Sequence, residues 1–240
     1  MTKIGITGKN GRVGQLLCSE LSNGTIQGVS LSDAISRDGN ADALFENSDC
    51  IIDFTTPSAT MDYLALAVQH KTPFVIGTTG LNETENTRIS EAAQHIPILY
   101  AANMSIGVNV LLSLAEKAAS LLGDEWDIEI LETHHHHKID SPSGTALALG
   151  NAAKTGRGGV GNFVTDRNGK RQSGDIGYAV RRGGDVVGEH VVSFYGAGER
   201  IELGHIATNR SLFAQGAIKG AKWLVDQPAG LYSMRDMLGL

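Results

Sequence analysis

A doubly wound parallel α/β sheet joined to a smaller α+β unit is the fold this sequence predicts, and three observations predict it. Up to Ala101, short β-branched runs alternate with stretches of helical spacing, the pattern of parallel strands linked by right-handed crossovers. After Asn103 that rhythm gives way to one long apolar helix and then to further strands. Glycine supplies 30 of the 240 residues, which points to many tight turns and to close approach of the backbone to something bound.

In the first unit, strands are expected at residues 3–7, 25–30, 50–55, 73–77 and 97–101. Val13, Leu16, Leu17 and Leu21 recur at helical spacing after the first strand, and Met61, Leu64, Ala65 and Val68 do so before the fourth. A helix over 108–122 and a strand from 126 to about 132 open the second unit. The next helix is expected near Pro142, with Ser141 as its cap and proline in its first position. Residues 156–177 are glycine-rich with little apolar periodicity and read as a long mobile loop. Strand patterns return at 177–181, 190–195 and 200–207, suited to a mixed or antiparallel sheet. The last helix, 212–225, carries Phe213, Ala217, Ala221 and Leu224 on one face, suited to packing back on the first unit. The expected division is therefore 1–105 completed by 211–240, with 106–210 as a second domain for substrate and oligomerisation.

Lys plus Arg numbers 20 against 26 Asp plus Glu, a net charge of -6, which offers no general footprint for nucleic acid or an anionic membrane. Cys18 and Cys50 lie in apolar runs without paired spacing, so they read as reduced core thiols. The chain opens as MTKIGITG, straight into a strand, and no run of about 18 apolar residues follows anywhere. A soluble cytoplasmic protein is the expectation.

Gly8, Gly11 and Gly14, with Lys9, Asn10, Arg12 and Val13 between them, stand directly after an apolar strand and before an amphipathic helix. That is where a Rossmann-like sheet holds a dinucleotide pyrophosphate: the glycines admit the phosphates, and the helix start offers unpaired N–H groups. The spacing is GxxGxxG, and a ligand-free tight turn is the alternative. Asp33, after the expected second strand, is placed to bond the ribose 2′-hydroxyl of NAD, whereas Arg12 is suited to a 2′-phosphate, so NADH and NADPH both stay open. Thr55, then Gly77, Thr78 and Thr79, then Ala101, Ala102, Asn103 and Met104 follow later strands, at the sheet edge where ligands of such folds lie.

Residues 132–146 form the chemically densest segment, with histidine at 134, 135, 136 and 137. Its mid-chain position rules out a purification tag. A metal site needs convergent ligands, and adjacent histidines at a strand end diverge. The third reading is a cationic site for an acidic small molecule. Lys138 supplies fixed charge, the imidazoles titrate near neutrality, and Ser143, Gly144 and Thr145 fall in a first helical turn whose amides can hold a carboxylate. A solvated basic loop before an ordinary capped helix is the plain alternative. Together with the glycine turn, the clamp points to hydride transfer to an anionic substrate, since a C=N bond that accepts hydride also needs a proton from His or Lys.

The string Glu132, His134, His135, Lys138, Asp140, Pro142, Ser143, Gly144, Thr145 and Ala146 resembles the signature E-x-H-H-x-x-K-x-D-x-P-S-G-T-A of the 4-hydroxy-tetrahydrodipicolinate reductase family, also called dihydrodipicolinate reductase, of the diaminopimelate route to lysine. The glycine turn, Phe54 to Pro57, Gly77-Thr78-Thr79 and the stretch from Ala101 to Asn109 resemble the family too. So do Gly196 to Glu199, His205, Arg210, Phe213, Ala214 and Gly216, and the likeness covers nearly the whole chain.

The resemblance implies that His134 and Lys138 are catalytic, handling the proton that accompanies hydride, with Lys138 also facing the substrate. It implies that His135, Ser143, Gly144 and Thr145 bind the cyclic dicarboxylate, that NADH or NADPH is the reductant, and that the protein is a homotetramer packed through the sheets of its second domain. Family members able to use both cofactors carry an acidic-then-basic pair after the second strand, where Ser32 and Asp33 are expected here. The competing readings are a non-catalytic dinucleotide sensor, a metal-dependent lyase or hydrolase, and a reductase of another imino or amino acid.

Overall fold

The computed structural model describes residues 1–240. The chain forms two compact units, one of Met1–Ile106 with Arg210–Leu240 and one of Gly107–Asn209. The alternation read in the first unit builds β1 (Thr2–Thr7), α1 (Arg12–Ser22), β2 (Val29–Ile35), α2 (Ala41–Glu46), β3 (Cys50–Asp53), α3 (Pro57–His70), β4 (Phe74–Ile76), α4 (Glu83–Ala92) and β5 (Pro97–Tyr100). From the C-terminal part come α7 (Ser211–Leu224), β11 (Gly230–Tyr232) and α8 (Met234–Leu238). All six strands are parallel, in the order β11-β5-β4-β3-β1-β2.

Alternate residues of the central strands feed two cores. Ile4, Ile6, Ile52, Val75 and Leu99 meet Leu17 and Leu21 of α1 and Ala214, Ala217, Ile218, Ala221 and Leu224 of α7. Ile51, Phe74, Ile76 and Ile98 meet Leu44 and Phe45 of α2, Met61 and Leu64 of α3, and Ile89 of α4. A sheet covered on both faces reads as continuous apolar runs, which is why these strands were visible as such. The last helix does lie on the first unit, close enough that a Cβ on Gly216 would sit 1.8 Å from the Met104 carbonyl oxygen.

The second strand departs from its expected place. Gly24 and Gly28, with φ of +64° and +82°, turn the chain through the residues expected to be extended, so pairing begins only where Val29 meets Thr2. Ile26, half of the apparent strand signal, packs on the core from that turn. Between Ile4↔Leu31 and Ile6↔Ala34 the register shifts, which puts Ser32 and Asp33 in a bulge inside β2 and not beyond its end.

At the end of β3 the Asp53 carboxylate is fully buried and accepts four threonine hydroxyls: Thr7 at 2.6 Å, Thr55 at 2.7 Å, Thr60 at 2.5 Å and Thr78 at 2.8 Å. Burial, opposed by these hydroxyls, leaves its carboxyl above the ordinary range. This knot ties together the end of β1, the loop after β3, the first turn of α3 and the loop after β4.

Around the second unit run α5 (Ile106–Leu122), β6 (Asp127–His134), α6 (Gly144–Gly156), β7 (Phe163–Val164), β8 (Ile176–Arg182), β9 (Gly188–Tyr195) and β10 (Arg200–Ala207). The sheet order is β10-β9-β6-β8-β7; β9 runs antiparallel to both neighbours and β8 parallel to both of its own, so the sheet is mixed. Leu111, Ala115 and Ala119 of α5 and Leu149 and Ala153 of α6 cover one face, meeting Ile128 and Ile130. The segment 156–177 is not all loop: Phe163 and Val164 add a strand two residues long, too short to leave a periodic trace. No helix is long and apolar enough to cross a membrane.

Candidate active site

The glycine turn has the geometry that its spacing requires. Gly8 adopts φ +86°, and a Cβ there would lie 2.4 Å from the Phe54 carbonyl oxygen; one on Gly14 would lie 2.1 Å from the Gly8 carbonyl oxygen. Only glycine lets β1, the loop after β3 and α1 approach so closely. Gly11 caps α1, and neither it nor Thr56, the cap of α3, gives a side-chain hydrogen bond to the first turn. Two helix starts therefore keep amides for an anion, and the cradle fits a dinucleotide pyrophosphate.

Two cavities flank this turn, of about 410 Å³ and 320 Å³. Gly8, Asn10, Gly11 and Thr55 line the first; Gly11, Arg12, Val13, Thr55, Gly77, Thr78, Thr79, Ala102 and Met104 line the second. Thr78 is nearly buried and its hydroxyl is committed, donating to Asp53 and accepting the Thr55 amide at 2.9 Å. Lys9, Ala101 and Asn103 line neither cavity. The Lys9 amide donates to the Ile35 carbonyl, the Ala101 amide to that of Ile76, and the Asn103 side chain accepts the Ser105 amide at 2.9 Å.

Asp33 is likewise outside both cavities. Its carboxylate accepts the Ala34 amide at 2.7 Å within the bulge. Because β2 continues to Ile35, the residues standing where a ribose is read are Ser36 and Arg37, and both line the larger cavity. Thr56, Ser58, Ala59, Asp62 and Tyr63 complete that wall, and Phe54 and Phe213 line the smaller cavity. Placing the strand end correctly was the signal that would have found Ser36 and Arg37.

In the second unit the covered face of β6 begins with Ile128 and Ile130 and continues, two residues at a time, with Glu132 and His134. The Glu132 side chain is fully buried. It accepts Arg182 through both Nη atoms at 2.8 and 2.9 Å, His134 Nδ1 at 2.5 Å and the Ser143 amide at 3.0 Å. Burial pushes its carboxyl up, and these donors outweigh burial and hold it below the ordinary range.

Ser143, not Ser141, caps α6: its hydroxyl accepts the Ala146 amide at 3.2 Å and also pairs with His190 Nε2 at 3.1 Å. The helix consequently starts at Gly144, past Pro142, and Gly144 and Thr145 hold its first turn. Gly144 is exposed and Thr145 half-buried, whereas Ser143 is buried with its hydroxyl engaged. Lys138 Nζ lies 2.8 Å from Asp140, whose carboxyl it holds below the ordinary range.

Of the four histidines only His134 is on the strand; His135 follows it, its amide donating to the Val186 carbonyl at 2.8 Å, and His136 and His137 are exposed with their rings 3.8 Å apart. No three His, Cys, Asp or Glu side chains gather as metal ligands. The run diverges once the strand ends, so the side chains do not share one point.

Comparison with known proteins decides the family. The models described as dihydrodipicolinate reductase, N-terminus and C-terminus, match residues 2–104 and 107–238. The chain belongs to the dihydrodipicolinate reductase family. A reductase of this family from Zymomonas mobilis is 47% identical over 250 residues, covering 99% of this chain and 97% of its own. One from Pseudoalteromonas translucida is 46% identical over 262 residues, covering 99% and 98%. Both are named 4-hydroxy-tetrahydrodipicolinate reductase. The fold agrees with that of a dipicolinate-bound dihydrodipicolinate reductase from Paenisporosarcina sp. TG-14, at TM-score 0.83 and 22% identity over 97% of each chain.

Within this dihydrodipicolinate reductase fold His190 is nearly buried beside His134, their rings edge-on at 5.1 Å. Burial above all, with repulsion between its charged form and the His134, His205 and Lys138 side chains, lowers its pKa from 6.5 to about 4 against the opposing pull of Glu132. The unfolded imidazole then binds protons that the folded one refuses, so its contribution to stability is complete above 6.5 and is lost as pH falls toward about 4. Denaturation of wild type and His190→Gln across that window should show wild type losing on the order of 3 kcal/mol relative to the variant. Parallel curves would show that His190 titrates normally.

Proposed function

We propose that this chain reduces 4-hydroxy-tetrahydrodipicolinate to tetrahydrodipicolinate with NADH or NADPH, the reaction of its family, through the segment from His134 to Thr145. The observation that carries the assignment of residues is the network that links them: Glu132 holds His134 and the Ser143 amide at the start of α6, and Arg182, on the same carboxylate, holds the carbonyl of Asp140, the residue that Lys138 pairs with. A bound reduced nicotinamide supplies the hydride. The chain's own task is to hold two carboxylates and deliver a proton.

In this reading the first turn at Gly144 and Thr145 faces a carboxylate, with Lys138 supplying positive charge and His135 a further polar contact. The buried Ser143 hydroxyl acts by capping that turn, so its part in binding runs through the amides it orders. Lys138, already donating to Asp140, is the proton donor nearest the clamp in sequence, and His134 exchanges the proton through the nitrogen not facing Glu132.

The larger of the two cavities that flank the glycine turn supports a preference for NADPH. Arg37 is exposed on its wall with Ser36 before it, so the residues directly after β2 offer a cation to a 2′-phosphate. We also place the protein in the cytoplasm, acting on a small molecule without nucleic acid or membrane. The reading includes a homotetramer joined through the uncovered face of the second sheet, where Leu131 stands opposite Val191 and Ile206 is 68% exposed.

The test is oxidation of NADPH and NADH in parallel, with the cyclic substrate generated in place by an upstream synthase. Lys138→Ala should cut turnover by at least about 100-fold while dinucleotide affinity hardly moves. Near-normal turnover removes Lys138 from the mechanism. Arg37→Ala should raise KM for NADPH by roughly 10-fold or more and leave NADH nearly unaffected. Equal losses with both cofactors would remove the 2′-phosphate from Arg37.

A further inference from the structure

Glu132 sits two residues before His134 on the covered face of β6, and neither of its oxygens is left to water. Arg182, reaching from β8, grips both oxygens, so the carboxylate plane is set by a fork that cannot rotate without losing a bond. The Ser143 amide occupies one oxygen and His134 Nδ1 the other. Arg182 also donates to the Asp140 carbonyl at 2.7 Å, tying the histidine loop to the same fork.

We propose that Glu132, locked by Arg182, is a positioning residue of the reaction, which fixes His134 as the Nδ1–H tautomer and leaves Nε2 as the nitrogen that exchanges the proton. An ionised carboxylate only accepts hydrogen bonds, so the nitrogen facing it must carry hydrogen. With Nδ1 so committed, the neutral ring has its lone pair at Nε2 alone.

The surroundings of Nε2 agree. A Cβ on Gly188 would lie 3.0 Å from it, so the bare backbone of β9 keeps the space beside that nitrogen clear. His190, the other ring at this face, is turned edge-on and occupied through its own Nε2 by the Ser143 hydroxyl, and so does not compete for Glu132. The bond from the Ser143 amide to Glu132 makes the carboxylate a shared reference for His134 and for the turn at Gly144 and Thr145.

The proposal rests on the reading that His134 handles the proton, and its test separates the two. Long-range 1H–15N NMR of the full-length wild type, at a pH where His134 is neutral, should show Nδ1 protonated and Nε2 bare. The opposite tautomer overturns the proposal whatever the activity. Glu132→Gln, whose amide can turn an NH2 toward His134, should shift the ring toward Nε2–H and lower kcat on the order of 100-fold, with KM for NADPH unchanged. Turnover within about twofold of wild type in a folded Glu132→Gln protein also overturns it.

If that variant does not fold, Arg182→Lys serves, since it keeps the charge and loses the fork. Its kcat should fall with the cofactor KM unchanged, and a simple loss of stability at unaltered kcat counts against the proposal. Should the tautomer be as stated while His134→Ala keeps full turnover, it is the assignment of His134 to the proton that fails.

Discussion

The second unit depends on one buried negative charge. Taking the Glu132 carboxylate out of water is costly, and the cost is offset only because the Arg182 fork, an imidazole and a backbone amide satisfy it together. Each of those donors is thereby fixed: His134 on β6, Arg182 on β8, Ser143 at the start of α6. Removing the carboxylate leaves the guanidinium without its partner and the amide at the helix cap unpaired. The first unit uses the same device in weaker form, with the Asp53 carboxylate held by hydroxyls alone. In both, a buried carboxylate in the last residues of a β-strand fixes the loops around it.

What those loops present is largely backbone. The turn through Gly8, Gly11 and Gly14 has no side chain to spare, and its caps at Gly11 and Thr56 do not use up the first-turn N–H groups. At α6 the capping Ser143 hydroxyl takes the Ala146 amide, and Gly144 and Thr145 form the first turn. Both places are helix starts, the position in a fold where backbone amides can meet an anion.

The sequence made most of this legible, because buried parallel strands are apolar throughout and the glycine turn and residues 132–146 are dense in unusual side chains. What it misplaced depended on conformation rather than residue type. Thr25 and Ile26 look like strand residues, and only the positive φ at Gly24 and Gly28 shows that they turn, which moves the end of β2 from Ser30 to Ile35 and puts Ser36 and Arg37, not Asp33, directly after it and on the cavity wall. Ser141 before Pro142 is a good cap on paper, but the hydroxyl that meets an amide is that of Ser143. Arg182 and His190 lie some fifty residues from Glu132 and Ser143 in the chain and meet them only through the pairing of β6 with β8 and β9. No local pattern announces such contacts.

A crystal structure of the full chain with NADPH and pyridine-2,6-dicarboxylate will show whether the clamp from His134 to Thr145 holds the substrate. One carboxylate should lie within hydrogen-bond reach of the Gly144 and Thr145 amides, with Lys138 beside the ring and Glu132 still bonded to His134. A dicarboxylate bound away from those amides, with Lys138 still engaged on Asp140 alone, would contradict it.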